Sequence, residues 1–259
     1  MHEDLPIARR GVIALRLAQG QSVVAAALAI EFKVSEDAIR RDLRALAADG
    51  LCRRVYGGAL PILPVASPLA ARLDAELARK EALAETALKL IKPGELLFLD
   101  SGSTNFTLVD IFPDDFDVTV ATNSVEIAAA VLRRQDIKLV LLGGSVDPLV
   151  GGSVDAAAVR SLMQMNIDRC FIGACSISAK SGVSAFNVSD AAFKRALLES
   201  SARSVVLAMN EKMSIRAHHR IAEVREIEHL VVEHDIPAGE LQALQRTGTS
   251  VVQAEKPRA

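Results

Sequence analysis

Seven short apolar runs alternate with helix-forming stretches over the C-terminal part of this 259-residue chain, and that alternation constrains the fold more than any other feature. The runs are Leu96–Leu99, Val118–Ala121, Lys138–Leu142, Cys170–Ala174, Ser204–Ala208, Leu230–Val232 and Ser250–Val252. Between most of them lie stretches of helical spacing: Thr104–Ile111, Val125–Arg134, Asp155–Met163, Ala191–Ala202 and Gly239–Leu244. Runs that are apolar almost throughout read as strands covered on both faces, and strands separated by helices pair in parallel. The expected body is therefore a mostly parallel α/β sheet, with any ligand at the carboxyl ends of its strands. A further Ala/Leu/Glu/Lys-rich stretch, Arg72–Lys92, predicts an amphipathic helix that Pro93-Gly94 ends.

The charge is divided unevenly along the chain. The net charge is −2, yet residues 1–60 hold nine Lys/Arg against seven Asp/Glu, while the remainder holds 21 against 25. Three prolines, Pro61, Pro64 and Pro68, separate the two parts and exclude a continuous helix there. This predicts a basic module over 1–60, a linker over 61–71 and an α/β domain over 72–259. In the first module a helix over Ala8–Ala18 stops before Gly20. Ser22 is placed to cap a second helix through Val23–Glu31, and Ser35 a third, with Glu36 and Asp37 at its positive end. On the third helix Ile39, Leu43 and Leu46 share one face, so Asp37, Arg40, Arg41 and Arg44 point the other way. Two short helices with arginines on the outer face of the second describe a helix-turn-helix that enters the major groove, although a merely solvated face has the same spacing. After Gly50, the stretch from Leu51 to Ala59 reads as a basic β-ribbon in which Arg53 and Arg54 reach phosphates.

From Phe32 to Ala59 the chain resembles the DeoR family of bacterial transcription regulators, through Val34-Ser35, Ile39-Arg40-Arg41-Asp42-Leu43, Leu46, Gly50 and Gly57-Gly58-Ala59. Ala38 stands where the family usually has Thr, and Tyr56 where it usually has His. In the second module polar loops follow strand ends: Asp100-Ser101-Gly102-Ser103-Thr104, Thr122-Asn123-Ser124, Gly143-Gly144-Ser145, Gly151-Gly152-Ser153 and Gly173. Hydroxyls, close-approaching glycines and helix starts in one sheet point to a small anionic ligand. These loops also resemble the DeoR sensor domain, from about Lys80 to about Val232. The resemblance implies a fold related to ribose-5-phosphate isomerase and CoA-transferase-like proteins, and a phosphorylated sugar or related metabolite as effector. It places effector contacts at Asp100, Gly102, Ser103, Thr104, Thr122, Asn123, Ser124, Gly143, Gly144 and Gly173. It adds Lys194, four residues after Asp190, and Lys212. Met209, and Cys175 with Ser176, replace acids and a glycine of the family pattern, which predicts a ligand end with fewer hydroxyls.

The expected function is that of a repressor of a carbohydrate catabolic operon that binds double-stranded operator DNA as a homodimer or homotetramer. Aromatic residues are 3%, with no Trp and one Tyr, which disfavours stacking on single strands. Cys52, Cys170 and Cys175 form no disulfide framework, the start lacks a signal-peptide core, and no apolar run reaches the ~18–20 residues of a membrane span. These readings lead to a cytoplasmic protein without a membrane partner. Adjacent His218 and His219 lack metal-ligand spacing, so neither a metal nor a cofactor is expected. The competing class is a sugar-phosphate isomerase or acyl-transfer enzyme using Asp100, Asp190 and Lys194. The separate arginine module would have no use in such an enzyme.

Overall fold

A computed structural model describes residues 6–18, 23–49, 51–61, 69–213 and 215–257, in two compact units, Met1–Val65 and Ala66–Ala259. The first runs α1 (Pro6–Ala18), β1 (Val23–Val24), α2 (Ala25–Glu31), α3 (Glu36–Ala48), β2 (Cys52–Val55) and β3 (Gly58–Pro61). Ile39, Leu43 and Leu46 of α3 are buried with Ile13 and Leu17 of α1 and Leu28 of α2, so the stripe read from spacing becomes the core of this unit. The turn between α2 and α3 is closed by Lys33 at φ 51° and by a hydrogen bond from the Val34 N–H to the Ala29 carbonyl, 3.0 Å. Ser35 then caps α3, its hydroxyl accepting from the Ala38 N–H at 3.2 Å.

One expectation here is corrected. The second helix does not begin at Val23; it begins at Ala25, because Val23 and Val24 form a strand on β3 opposite Ala59 and Gly58, giving the sheet order β1-β3-β2. The two β-branched residues suit the extended pairing, and Gly58 is required there since a Cβ would collide with the Val23 carbonyl oxygen. Val24, which has no capping side chain, occupies the N-cap, and Ser22 lies outside the described residues.

The second unit begins with α4 (Leu69–Arg72) and α5 (Leu77–Leu88), then β4 (Leu96–Leu99), α6 (Ser103–Ile111), β5 (Thr119–Thr122), α7 (Val125–Arg133) and β6 (Lys138–Leu141). There follow β7 (Val146–Asp147), β8 (Gly152–Ser153), α8 (Ala156–Leu162), β9 (Arg169–Ile172), β10 (Ser176–Ser178), β11 (Gly182–Ala185) and α9 (Val188–Glu199). The unit ends with β12 (Ser204–Ala208), β13 (His219–Ala222), β14 (His229–Val232), α10 (Ala238–Gln245) and β15 (Ser250–Gln253). The helix expected over 72–92 is broken. Glu76 is left-handed at φ 55°, and the carbonyls of Arg72 and Leu73 accept from the buried Lys80 ammonium instead of from a following turn.

All seven predicted strands form one parallel sheet in the order β15-β14-β12-β9-β4-β5-β6. Alternate residues serve opposite faces. Leu97, Leu99, Phe171 and Val205 pack with Leu83, Leu108 and Val131 of α5, α6 and α7. Phe98, Cys170, Ile172 and Val206 pack with Leu162, Phe193 and Leu197 of α8 and α9. From β4 the chain steps one way to β5 and β6, and from β9 the other way to β12, β14 and β15. The switch between β4 and β9 opens a crevice at their carboxyl ends, the place where sheets of this kind bind ligands.

Candidate functional site

Two groups of side chains carry chemistry, one on each unit. On α3, Asp37, Arg40, Arg41 and Arg44 are all exposed. Arg40 is engaged by its own helix, donating to Glu36 at 2.7 Å and Asp37 at 3.2 Å. Arg41 and Arg44 have no ion pair among the described residues. Asp42, between them in sequence, is buried and takes Arg9 of α1 at 2.6 Å. An acid inside the arginine run thus fastens the helix from behind and leaves the outer face cationic. On the ribbon Arg54 and Tyr56 are exposed, Tyr56 at the turn beside Gly57 (φ 84°), while the Arg53 side chain lies outside the described residues.

The second group lies at the sheet switch, in a cavity of about 220 Å³. Its walls come from the loop after β4 (Ser101 to Asn105), the loop after β9 (Gly173 to Cys175), the end of β12 with the turn to Lys212, and the α4–α5 break with Arg72 and Lys80. Gly102 is the N-cap of α6 and supplies no side chain, so the first-turn N–H groups of α6 face the cavity uncapped. Asn105 ties the floor by donating to the Asp100 carbonyl at 3.0 Å and the Phe171 carbonyl at 2.9 Å, joining β4 to β9. Gly173 must be glycine because a Cβ would stand 2.7 Å from the Ser101 carbonyl oxygen.

Lys194, on α9, reaches this end of the sheet and holds two buried carboxylates, Asp190 at 2.6 Å and Asp100 at 3.5 Å. Asp100 also accepts from the Gly173 N–H at 2.8 Å, and its other oxygen has no partner among the described residues. Burial raises the Asp100 carboxyl to about 6 against the pull of Lys194. Burial opposes the Lys194 charge as well, but Asp100 and Asp190 outweigh it and hold that ammonium above the ordinary lysine value. Lys212 is held below its ordinary value, by burial and then by Arg72 and Lys194; Lys80 is lowered by burial and by Arg72. Four cations of the protein therefore crowd one cavity, an arrangement that an incoming anion relieves.

The structure gathers Gly102, Ser103, Thr104, Gly173, Lys194 and Lys212 around this cavity, with Asp100 under its floor. It does not bring the other loop residues there. Thr122 is buried, donating to the Leu99 carbonyl at 2.6 Å and accepting from the Ser124 N–H at 3.0 Å. Asn123 bridges the Ser101 N–H and the Ser153 carbonyl, both at 3.2 Å, and Ser124 caps α7. Gly144, at φ 144°, lies against Asp155, which accepts from the Ser145 N–H at 2.8 Å; Gly143 precedes it outside the cavity. Reasoning from strand ends missed Arg72 and Lys80, whose helical context gives no local sign of a site. The signal for Lys80 would have been its place on the apolar side of α5, beside Ala84 and Ala87.

Residues 9–63 match the DeoR-like helix-turn-helix domain and residues 75–234 the DeoR C terminal sensor domain. A protein of Escherichia coli O157:H7 named for transcriptional repression of the aga operon is 32% identical over 94% of this chain and 92% of its own. The L-fucose operon activator of Escherichia coli K12 is 31% identical over 86% of this chain and 93% of its own. The glycerol-3-phosphate regulon repressor of the same strain is 26% identical over 90% and 93%. A solved ribose 5-phosphate isomerase from Methanocaldococcus jannaschii aligns with 52% of this chain and 53% of its own at 19% identity and a TM-score of 0.38. On the two domain matches, which take in both units, and the 32% identical relative, the chain belongs to the DeoR family of transcriptional regulators.

Proposed function

We propose that this protein represses a carbohydrate catabolic operon by binding its operator through α3 and the ribbon, and that a phosphorylated sugar or related metabolite in the sheet-switch cavity shifts that binding. The observation that carries the DNA reading is α3 itself. Its apolar side is consumed by the core and Asp42 by Arg9, which leaves Arg41 and Arg44 exposed and without an ion pair among the described residues. Arginine suits a groove because its fork bonds guanine O6 and N7 together or grips phosphate oxygens. Ser35, Asp37, Arg40, Arg53, Arg54 and Tyr56 flank those two on the same helix and ribbon, and Ser22 precedes them. One short helix reads few base pairs, so the active species is a symmetric dimer or tetramer on repeated half-sites, in the cytoplasm.

The cavity reading rests on Lys212, Lys194 and the uncapped start of α6 around one space. Thr122 and Asn123 then support β4 and the loop after it, through the Leu99 carbonyl and the Ser101 N–H, and Ser124, Gly143 and Gly144 have no contact with the cavity. An enzymatic role has one observation in its favour, a carboxyl raised to about 6 at Asp100. A general base must reach the proton it removes, whereas Asp100 is fully buried beneath the cavity floor and is already shared between Lys194 and the Gly173 N–H. That geometry makes it a positioning group.

The test is the Arg41→Ala, Arg44→Ala double variant in operator-binding titrations at several salt concentrations. Operator affinity should fall at least ~100-fold, the salt slope should flatten by about two phosphate contacts' worth, and phosphate binding by the second unit should persist. Unchanged operator affinity at matched salt rejects the assignment.

A further inference from the structure

The carboxylates around the cavity are already committed to cations of the protein. Arg79 donates to Glu76 at 3.2 Å and to Glu211 at 2.7 Å, and is itself fixed by a fork onto Glu233. Asp190 and Asp100 share Lys194. At the carboxyl ends of β9 and β12 stand Cys175 and Met209, and with Ala174 and Leu207 they form an apolar wall of the cavity, the first loop packing on one layer and the end of β12 on the other. A thiol is a weak donor and a thioether a weak acceptor, so a hydroxyl placed against this wall loses water without gaining a hydrogen bond.

The loop after β4 has the opposite character. Ser101 is more than nine-tenths buried, lines the cavity, and its hydroxyl has no partner among the described residues. It adjoins the uncapped N–H groups of α6, in the cavity that Lys212 also lines. The cavity thus offers unspent donors on the loop after β4 and sulfur and alkyl surface at the ends of β9 and β12, with Lys212 one turn beyond Met209.

Resting on the anion-binding function proposed above, we infer that the effector is a phosphomonoester whose carbon skeleton lacks hydroxyls at the end that meets Cys175 and Met209. The phosphate takes the Ser101 hydroxyl, the α6 N–H groups and Lys212, and the deoxygenated carbons take the sulfur wall.

Calorimetric titration of the full chain with inorganic phosphate, glycerol 3-phosphate and n-propyl phosphate tests this, since the two esters share a three-carbon chain and differ in two hydroxyls. The expected result is binding of n-propyl phosphate about tenfold tighter than of glycerol 3-phosphate, with inorganic phosphate weaker than n-propyl phosphate. In Cys175→Asp, and in Met209→Gln, which keeps the side chain's length, the preference should shrink or reverse. Equal affinity for the two esters, or a preference for glycerol 3-phosphate, overturns the inference while leaving an anion site in place. Equal preferences in wild type and in a folded Met209→Gln also overturn it. No heat from any of the three at millimolar concentration overturns the anion site itself.

Discussion

Lys194 is the residue on which the second unit's polar interior turns. It lies under the cavity with an ammonium that two carboxylates share, so each of the three groups is tolerable in the core only because of the others. The balance is uneven, for one oxygen of Asp100 has no partner among the described residues, and burial raises the carboxyl to about 6, above the ordinary aspartate range. Its folded-state value therefore exceeds its unfolded one. Between about pH 4 and pH 6 the folded chain holds this proton more tightly than the unfolded chain does, and the contribution of Asp100 to stability is lost as pH rises through that window. Asp100→Asn has no proton to lose there. The stability gap between Asp100→Asn and wild type should move in the variant's favour by roughly 2–3 kcal/mol from pH 4 to pH 7, measured by denaturant unfolding across that range. A gap that stays flat with pH would show that Asp100 ionises without cost in the fold.

At the scale of the element, α3 depends on a contact hidden behind it. Asp42 to Arg9 is a buried ion pair joining α3 to α1 across a small core. Removing one partner leaves the other charge uncompensated, so Asp42→Ala should cost about 3–5 kcal/mol and unfold the first unit. Arg41→Ala, at an exposed position, should change stability by no more than about 0.5 kcal/mol while still weakening operator binding. Denaturant melts of the two variants beside operator titrations separate the cases, and an Asp42→Ala variant as stable as wild type would free α3 from this contact. The same helix shows what a sequence discloses. Its apolar stripe follows from a period of 3.6, but the burial of Asp42 depends on an arginine 33 residues away. The five inner parallel strands are legible because they are apolar toward both layers, as Leu97 and Phe98 are toward opposite ones, while the edge strands β6 and β15 are largely exposed. The second sheet, β10-β11-β13, is not legible, since Ser176–Ser178, Gly182–Ala185 and His219–Ala222 are short and mix Ser, Gly and His. In the site, Gly102, Ser103 and Thr104 follow one strand, while Thr122 ends its neighbour and Asn123 and Ser124 follow it, all small polar residues. What separates the set that lines the cavity from the set that ties strands together is the strand each ends, for β4 stands at the sheet switch and β5 does not.

For the whole molecule the operator surface and the cavity belong to units with separate cores. A ligand in one changes binding at the other only by favouring one conformation of the chain, and the coupling works equally in both directions. If n-propyl phosphate weakens operator binding by a factor within the usual range of about 5–150, saturating operator DNA must weaken n-propyl phosphate by the same factor. Arg41 and Arg44 give this a rival, because a phosphomonoester can also compete with DNA phosphates for those two exposed side chains. The two routes differ in form. Coupling through the cavity saturates, so operator affinity plotted against ligand concentration should fall and then level off once Lys212 and its neighbours are occupied, and Lys212→Ala should move the midpoint to higher ligand concentration. Competition at α3 has no plateau, and Lys212→Ala leaves it unchanged. Operator affinity that keeps falling in proportion to ligand, identically in wild type and Lys212→Ala, would assign the response to the arginines and leave the cavity without a part in regulation.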